Sequence, residues 1–179
     1  MRIAEASLAG AMDVLRAQAQ ALNAYNELIA VLRTANPPQQ LRKKAKKAFV
    51  YDQTELIKEV RAELQTRGWK REVLFAPESR SEQILIRRVS ADTLKDGVHA
   101  IFEFGNRSYY AYNLTTRVAF GFSTRSTVLA VFVLPSHRFA AAIDSNVVSF
   151  EQVVAELGRL CTALPHMIPG PTMIVGLEP

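Results

Sequence analysis

The stretch TVLAVFVLP, residues 127–135, decides the fold class because it is apolar without alternation. Strands covered on both faces read as near-continuous apolar runs, whereas half-exposed strands alternate. We therefore predict a central strand here, lying between layers of helices. Four more short segments, rich in β-branched or aromatic residues, are predicted strands: WKREVLF (69–75), QILIRRV (83–89), VHAIFEF (98–104) and TMIVGLE (172–178).

Helices are predicted on both sides of these strands. Apolar residues from Leu8 to Leu32 follow spacings of three, four and seven, which is the stripe of one long amphipathic helix. The paired prolines of TANPPQQ end it. A second helix begins at Asp52, an N-cap with Glu55 at N3, and ends at Gly68. Two further helices are predicted over residues 108–122 and 149–160, the second with Ser149 as its N-cap and Gln152 at N3.

The order of these segments predicts an α/β fold with a mixed central sheet of about five strands flanked by helices. Two helical pieces precede any strand in this prediction. We expect one domain spanning residues 1–179, with a mainly helical segment at 1–66 and an α/β core at 67–179. No internal repeat and no long linker interrupts it.

Composition excludes several classes of protein. The single cysteine excludes an intramolecular disulfide and a cysteine zinc cluster. No apolar run approaches the ~20 residues that a membrane span needs. The first residues, MRIAEASLAGAMDVLRAQ, place acids inside the apolar pattern, unlike a signal peptide. We therefore expect a soluble, cytoplasmic protein that does not associate with membranes.

A basic run stands out against the modest net charge of +5. The segment LRKKAKK carries Lys43, Lys44, Lys46 and Lys47 within residues 41–47. Such a run is either a solvated helix face or a surface that contacts nucleic-acid phosphates, and the sequence leaves both interpretations open.

Several segments in order carry a resemblance to a known family. They are a turn with an acid, a strand ending EFGN, an aromatic helix, a strand ending in proline, SNVVSFEQVVAEL and IPGPTMIVGLEP. Over roughly residues 50–179 this path resembles the type II restriction endonucleases of the BglII, BstYI and BamHI kind, within the PD-(D/E)XK nuclease superfamily. The resemblance implies a restriction-endonuclease-like fold and Mg²⁺-dependent cleavage of double-stranded DNA by a homodimer.

In that family an aspartate on one strand and a pair of residues at i and i+2 on the next hold the metal. Mg²⁺ polarises the phosphoryl oxygen and lowers the pKa of the attacking water. The resemblance places the aspartate on Asp92 and the pair on Ile101 and Glu103. Asp92 and Glu103 are therefore the expected catalytic and metal-binding residues. Ile101 offers no oxygen where the family has a glutamate.

Three explanations of Ile101 remain open. The protein is a degenerate nuclease that binds without cutting, or a carboxylate has moved from elsewhere, with Glu78 and Glu82 as candidates. Alternatively, Asp96 takes the place of Asp92, although a KDG sequence is also an ordinary turn. Independently of these, Glu103 could be an exposed acid on a half-buried strand.

Polar residues beyond two of the predicted strands are candidates for base contacts, since Asn and Arg form bidentate hydrogen bonds with base edges. The alternative for each is ordinary loop polarity.

A homodimer is expected to form through helical surfaces that include the 8–32 or 52–66 stripe. Two rival functions are a non-catalytic DNA-binding protein on the same fold and an assembly protein with no nucleic-acid role. The candidate DNA-contact residues are Asn106, Arg107, Ser108, Arg138, Ser145 and Asn146.

Overall fold

The structure, a computed structural model, describes residues 1–40, 50–75, 89–105, 107–144 and 146–179. Its main feature is a six-stranded sheet, with a separate two-stranded ribbon beside it. The strands of the sheet are β1 (Arg2–Leu8), β4 (Lys70–Leu74), β5 (Ser90–Lys95), β6 (Val98–Phe102), β7 (Leu129–Pro135) and β8 (Thr172–Glu178), and those of the ribbon are β2 (Gln39–Gln40) and β3 (Val50–Tyr51).

Helices cover both faces of this sheet. A π-helical segment, Asn113–Val118, joins two short α-helices without a break, and a 3₁₀ turn, Pro165–Met167, precedes β8. The described α-helices are α1 (Ala11–Ala17), α2 (Ala19–Thr34), α3 (Gln53–Thr66), α4 (Arg107–Tyr112), α5 (Ala119–Ser123), α6 (His137–Ile143) and α7 (Phe150–Ala163). No helix in the described ranges has the length and apolar character needed to cross a membrane.

The strand order is β1-β8-β7-β6-β5-β4. Strands β6, β7 and β8 run parallel. Strand β1 pairs antiparallel with β8 and β5 pairs antiparallel with β6, whereas β4 pairs antiparallel with β5 and so runs in the same direction as β6. Every residue of β7 is buried, as expected for an interior strand that both layers of helices cover. The predicted mixed α/β sheet is therefore confirmed, with six strands rather than five.

Alternate residues of β6 enter two different hydrophobic cores. Val98, Ala100 and Phe102 pack with α2 and α3 in the first core. Ile101 packs in the second core, with Leu114 of the π-helical segment and with α7. Because side chains alternate along a strand, Glu103 is on the side of the sheet that Ile101 faces.

The prediction that helices precede every strand is wrong. Residues 2–8 form an edge strand that pairs with β8 through seven register positions. The single helix predicted over 8–32 is two helices, separated at Gln18, whose φ of −123° and ψ of 97° are extended. The sequence RIAEASL hides this strand because an edge position leaves most of its side chains exposed or half-buried, without an apolar run.

The predicted caps are confirmed. The Asp52 side chain accepts hydrogen bonds from the backbone N–H groups of Thr54 and Glu55, at 2.9 and 3.1 Å. Ser149 and Gln152 form a reciprocal capping box at the start of α7. Helix α6, with the sequence HRFAAAI, is not among the predicted helices.

Two other predictions change with the structure. Most of the predicted strand 83–89 lies outside the described residues, and Val89 itself is not in a strand. The apolar stripes proposed as dimer surfaces are mostly buried within the chain, including Leu15, Leu32, Leu56 and Leu64, whereas Met12 and Leu22 of the first stripe are exposed. The buried residues hold the helices against the sheet, so they are not available to a second copy.

Candidate functional site

A tight hairpin between β5 and β6 sets the geometry of the site. Thr93 pairs with Ala100, and the same register continued sets Asp92 opposite Ile101, on one face of the sheet. Asp96 and Gly97 form the turn, with φ values of 47° and 77°. Both positive values are those of a type I′ hairpin turn.

This turn excludes the alternative assignment of Asp96 to the site. Asp96 precedes β6 and Glu103 follows it. At about 3.3 Å per residue, the strand between them separates their backbones by roughly 17 Å. Asp96 is a turn residue, and Asp92 is the aspartate that shares a face with Glu103.

Asp92 is held by two arginines. Its Oδ1 accepts a hydrogen bond from Nη1 of Arg117, and its Oδ2 lies 3.4 Å from Nη2 of Arg61. Its side chain is only 16% exposed, so solvent screens these contacts weakly. The carboxylate is therefore paired with cations on both oxygens.

The backbone of Asp92 contacts a buried histidine. Its N–H donates to Nε2 of His99 at 3.3 Å, and the Phe75 ring lies edge-on to that imidazole. Burial, then the charge of Arg117, lowers the pKa of His99 to about 3. The imidazole is consequently neutral and acts as an acceptor here, and its Nδ1 has no hydrogen-bond partner within the described part of the chain.

Glu103 is buried, with 3% of its surface exposed, which contradicts the interpretation of it as an exposed acid. Its Oε1 accepts a hydrogen bond from Nδ2 of Asn113. Burial raises the pKa of Glu103 to about 7; the Asn113 hydrogen bond and the Arg117 charge oppose this, whereas the Asp92 charge adds to it. Asp92 and Glu103 therefore interact electrostatically on one side of the sheet.

The partners of both carboxylates come from the π-helical segment. Asn113 contacts Glu103, and Arg117, four residues later, contacts Asp92. A π-helix has more residues per turn than an α-helix, and such segments recur at functional sites. The sequence interpretation missed both residues, although an Asn and an Arg four apart in a helix of Tyr, Leu and Val were a usable signal.

The described residues do not fit an Mg²⁺ ion. No group of three or more His, Cys, Asp or Glu side chains arranged to hold a metal occurs in the described ranges. Mg²⁺ keeps several waters and is usually held by one or two carboxylates together with substrate phosphates, so the fit depends on whether Asp92 and Glu103 are free to bind it. Here Asp92 is paired with two guanidinium groups, Glu103 is bonded to an amide, and Ile101 between them is fully buried.

The predicted base-contact residues that the structure describes come after the carboxyl ends of the adjacent parallel strands β6 and β7, in three different segments. Arg138 follows β7 with 86% of its side chain exposed, 3.7 Å from Glu178 at the end of β8. Asn146 is exposed, and its N–H donates to Asp144. Ser108 is exposed in α4, the helix that Arg107 begins. Asn106, Ser145, Lys43, Lys44, Lys46 and Lys47, together with the candidate carboxylates Glu78 and Glu82, lie outside the described residues.

Comparison with known proteins identifies the family. A family model described as restriction endonuclease BglII/BglIII matches residues 4–177. The crystal structure of BglII with a DNA 16-mer superposes with a TM-score of 0.71 at 18% identity, covering 99% of this chain and 76% of that one. Free BglII gives a TM-score of 0.71 at 17% identity, covering 100% and 80%. No curated protein sequence matches. The chain belongs to the BglII/BglIII family of restriction endonucleases.

Proposed function

We propose that this protein binds double-stranded DNA, and that Mg²⁺-dependent phosphodiester hydrolysis is its ancestral rather than its present activity. The BglII relative was solved with a DNA 16-mer, which supports the DNA ligand. The single observation that carries the loss of hydrolysis is the contact of Arg117 with Asp92. A guanidinium on the expected metal ligand opposes a divalent cation by charge and by occupying the carboxylate oxygens.

The other contacts of the site support the same conclusion. Ile101 lies where the family pattern has a glutamate, and it is sealed in the second core. Glu103 is buried, and the hydrogen bond from Asn113 already uses one of its carboxylate oxygens. Asp92, Arg117, Glu103 and Asn113 together form a closed polar set.

The second candidate function is an active Mg²⁺-dependent endonuclease. It is favoured by one observation, the interaction of Asp92 and Glu103 on a common face of the sheet. Cleavage would then require another carboxylate, for which Glu78 and Glu82 remain candidates. Glu78→Gln or Glu82→Gln would abolish DNA cleavage only if the protein is an active endonuclease.

DNA binding is tested by fluorescence anisotropy with a labelled duplex in EDTA. We expect retention at low salt that weakens as salt rises, because phosphate contacts release counterions. A DNA ligand would also agree with a cytoplasmic location. Failure to retain duplex at low salt would favour the assembly protein without a nucleic-acid role.

Hydrolysis is tested with plasmid DNA in Mg²⁺ or Mn²⁺, using the parent, Ile101→Glu and the double variant Ile101→Glu/Arg117→Ala. We expect the parent to leave the plasmid supercoiled and nicking to appear only where a carboxylate is restored. Ile101→Val is the matched control, because it changes the same buried position without adding an oxygen. Cutting by the parent would establish the second candidate instead.

We propose a homodimer, since a palindromic duplex presents two equivalent half-sites related by a two-fold axis. Sedimentation velocity with and without duplex would measure the number of protein copies in the free protein and in the complex. A single protein copy on a palindromic duplex would contradict this part of the proposal.

A further inference from the structure

A cationic groove lies next to the site described above, on the side of the sheet that α3 covers. It has a volume of about 340 Å³ and runs between α3 and the end of β6. Lys58, Arg61 and Arg71 line it, together with the rings of Phe102 and Phe104. No carboxylate is among the described residues of its lining. We call it the α3 groove.

Arg61 connects the α3 groove with Asp92. Its Nη2 lies 3.4 Å from Asp92 Oδ2, and its guanidinium carbon lies 5.4 Å from the centre of the Phe102 ring. Its Nε is buried and has no hydrogen-bond partner among the described residues. The Arg61 side chain lines the groove and is 25% exposed, so guanidinium donors other than the buried Nε can reach a ligand there while Nη2 stays on the carboxylate.

Positive charge is concentrated around Arg61. Burial lowers its pKa, and the charges of Arg71 and Arg117 lower it further, against the opposing effects of Asp92 and Glu72. Arg71 is exposed on β4 and forms no ion pair with a described residue. Lys58 is also exposed, paired with Glu55 at 3.0 Å on the surface of α3.

We propose that the α3 groove binds a backbone phosphate of double-stranded DNA, with Arg61 and Arg71 as its donors and Lys58 at its exposed side. Arginines bind phosphate through several N–H donors in a fixed fork, which suits a single phosphate position. The groove ends at Phe104 and Gly105, directly after Glu103. A duplex lying across the carboxyl end of β6, beyond Glu103, would thereby place one phosphate against α3. This inference rests on the proposed DNA binding and adds the surface that positions the duplex.

Arg71→Ala and Lys58→Ala test it, because both side chains are exposed and neither belongs to a core. The matched control is Arg159→Ala, which removes an exposed arginine from α7 on the opposite face of the sheet. Affinity for a labelled duplex is measured by fluorescence anisotropy between roughly 50 and 200 mM salt. Thermal unfolding of each variant verifies that the fold is kept.

We expect Arg71→Ala to weaken binding about five-fold and to reduce the slope of log K against log salt by about 0.9, the value of one lost phosphate contact. Lys58→Ala changes the affinity and the salt slope in the same direction as Arg71→Ala. Arg159→Ala leaves the affinity and the slope as they are in the parent. If the parent binds the duplex and both groove variants have the same affinity and salt dependence as Arg159→Ala, the proposed phosphate site in the α3 groove is wrong. The proposal of DNA binding would remain intact. Absence of duplex binding by the parent itself overturns the proposed function, and the groove with it.

Discussion

At the scale of single residues, Glu103 is a buried carboxyl group whose pKa in the folded chain differs from its ordinary value. A carboxylate placed in a low-dielectric interior is disfavoured in its charged form. Its pKa of about 7 in the folded chain therefore exceeds its ordinary value of 4.5. The folded state then binds the proton more tightly than the unfolded state, so stability is greatest below the unfolded pKa and falls as the pH rises through the folded one.

Glu103→Gln makes this pH dependence measurable. Between roughly pH 5 and pH 8 we expect the parent to lose about 2–3 kcal/mol of unfolding free energy relative to the variant. Gln keeps the shape and an acceptor for Asn113 but has no proton to release. Urea unfolding across this pH range gives both curves. Parallel curves would show that Glu103 does not titrate with folding.

The Arg117–Asp92 contact gives a second prediction at this scale. Both side chains are less than a third exposed, so Asp92→Asn leaves the Arg117 charge partly buried without its counterion, and Arg117→Ala leaves Asp92 with Arg61 alone. We expect Arg117→Ala and Asp92→Asn each to cost about 2 kcal/mol, and the double variant to cost clearly less than their sum.

Chemical denaturation of the four proteins completes this cycle. The surface pair Arg16–Asp13 is the control, because its side chains are 74% and 81% exposed and solvent screens them. If the costs in unfolding free energy of Arg117→Ala and Asp92→Asn simply add in the double variant, there is no ion pair that holds the site closed.

At the scale of elements, the π-helical segment is the feature that closes the site. It directs Asn113 and Arg117 to the two carboxylates while Leu114 and Val118 remain in the second core. Deleting one residue returns such a segment to α-helical spacing and changes the direction of Asn113 relative to Arg117.

Deletion of the exposed Thr115 should therefore separate one carboxylate from its partner. We expect it to cost about 2–4 kcal/mol of stability, because it leaves a buried polar group without its hydrogen bond. Thr115→Ala at the same position keeps the spacing and serves as the comparison in urea unfolding. Equal stability of the two variants would mean that the segment does not determine the contacts.

The hairpin turn between β5 and β6 offers a test of how the site is positioned. A Cβ at Gly97, where φ is 77°, would lie 2.8 Å from Val128 Cγ2. Gly68 has a similar φ of 84° but no atom within 4 Å of such a Cβ. Both substitutions by Ala carry the backbone strain of a positive φ, and only Gly97→Ala adds the collision.

We expect Gly97→Ala to cost about 1–2 kcal/mol more than Gly68→Ala in thermal unfolding. The difference isolates the packing of the turn against β7. Similar costs for the two variants would mean that Val128 moves aside freely and that the turn does not fix the register of Asp92.

Sequence patterns predicted the elements whose signals are local. The apolar run of β7, the cap at Asp52 and the capping box at Ser149 were each visible in a few residues. The edge strand β1 was missed because its partner, β8, lies about 170 residues away and its own residues are mostly polar or small. Pairing of this kind depends on contacts that no short window contains.

The same limit applied to the site. Asp92 and Glu103 were expected from the resemblance to the restriction endonucleases, whereas Asn113, Arg117 and Arg61 became visible only through contacts across the fold. A closed polar set is a tertiary property, since each member is satisfied by a residue on another element. The predicted base-contact residues depended on loops, where local sequence says little about direction.

At the scale of the whole molecule, the polar site and the α3 groove lie at one end of the parallel strands β6, β7 and β8. Arg138, after β7, stands at the same edge. An open α/β sheet commonly binds its ligands beyond the carboxyl ends of its strands. The proposed DNA surface therefore agrees with the topology as well as with the charges.

The most direct test of a site closed to metal is a calorimetric titration of Mn²⁺ into the complex of the protein with a duplex. The parent and Asp92→Asn are compared, with the free duplex as a blank. We predict identical heats for the two complexes, because Arg117 and Asn113 already occupy the carboxylates. A Mn²⁺-binding event in the parent that disappears in Asp92→Asn would contradict this and restore the nuclease as the present function.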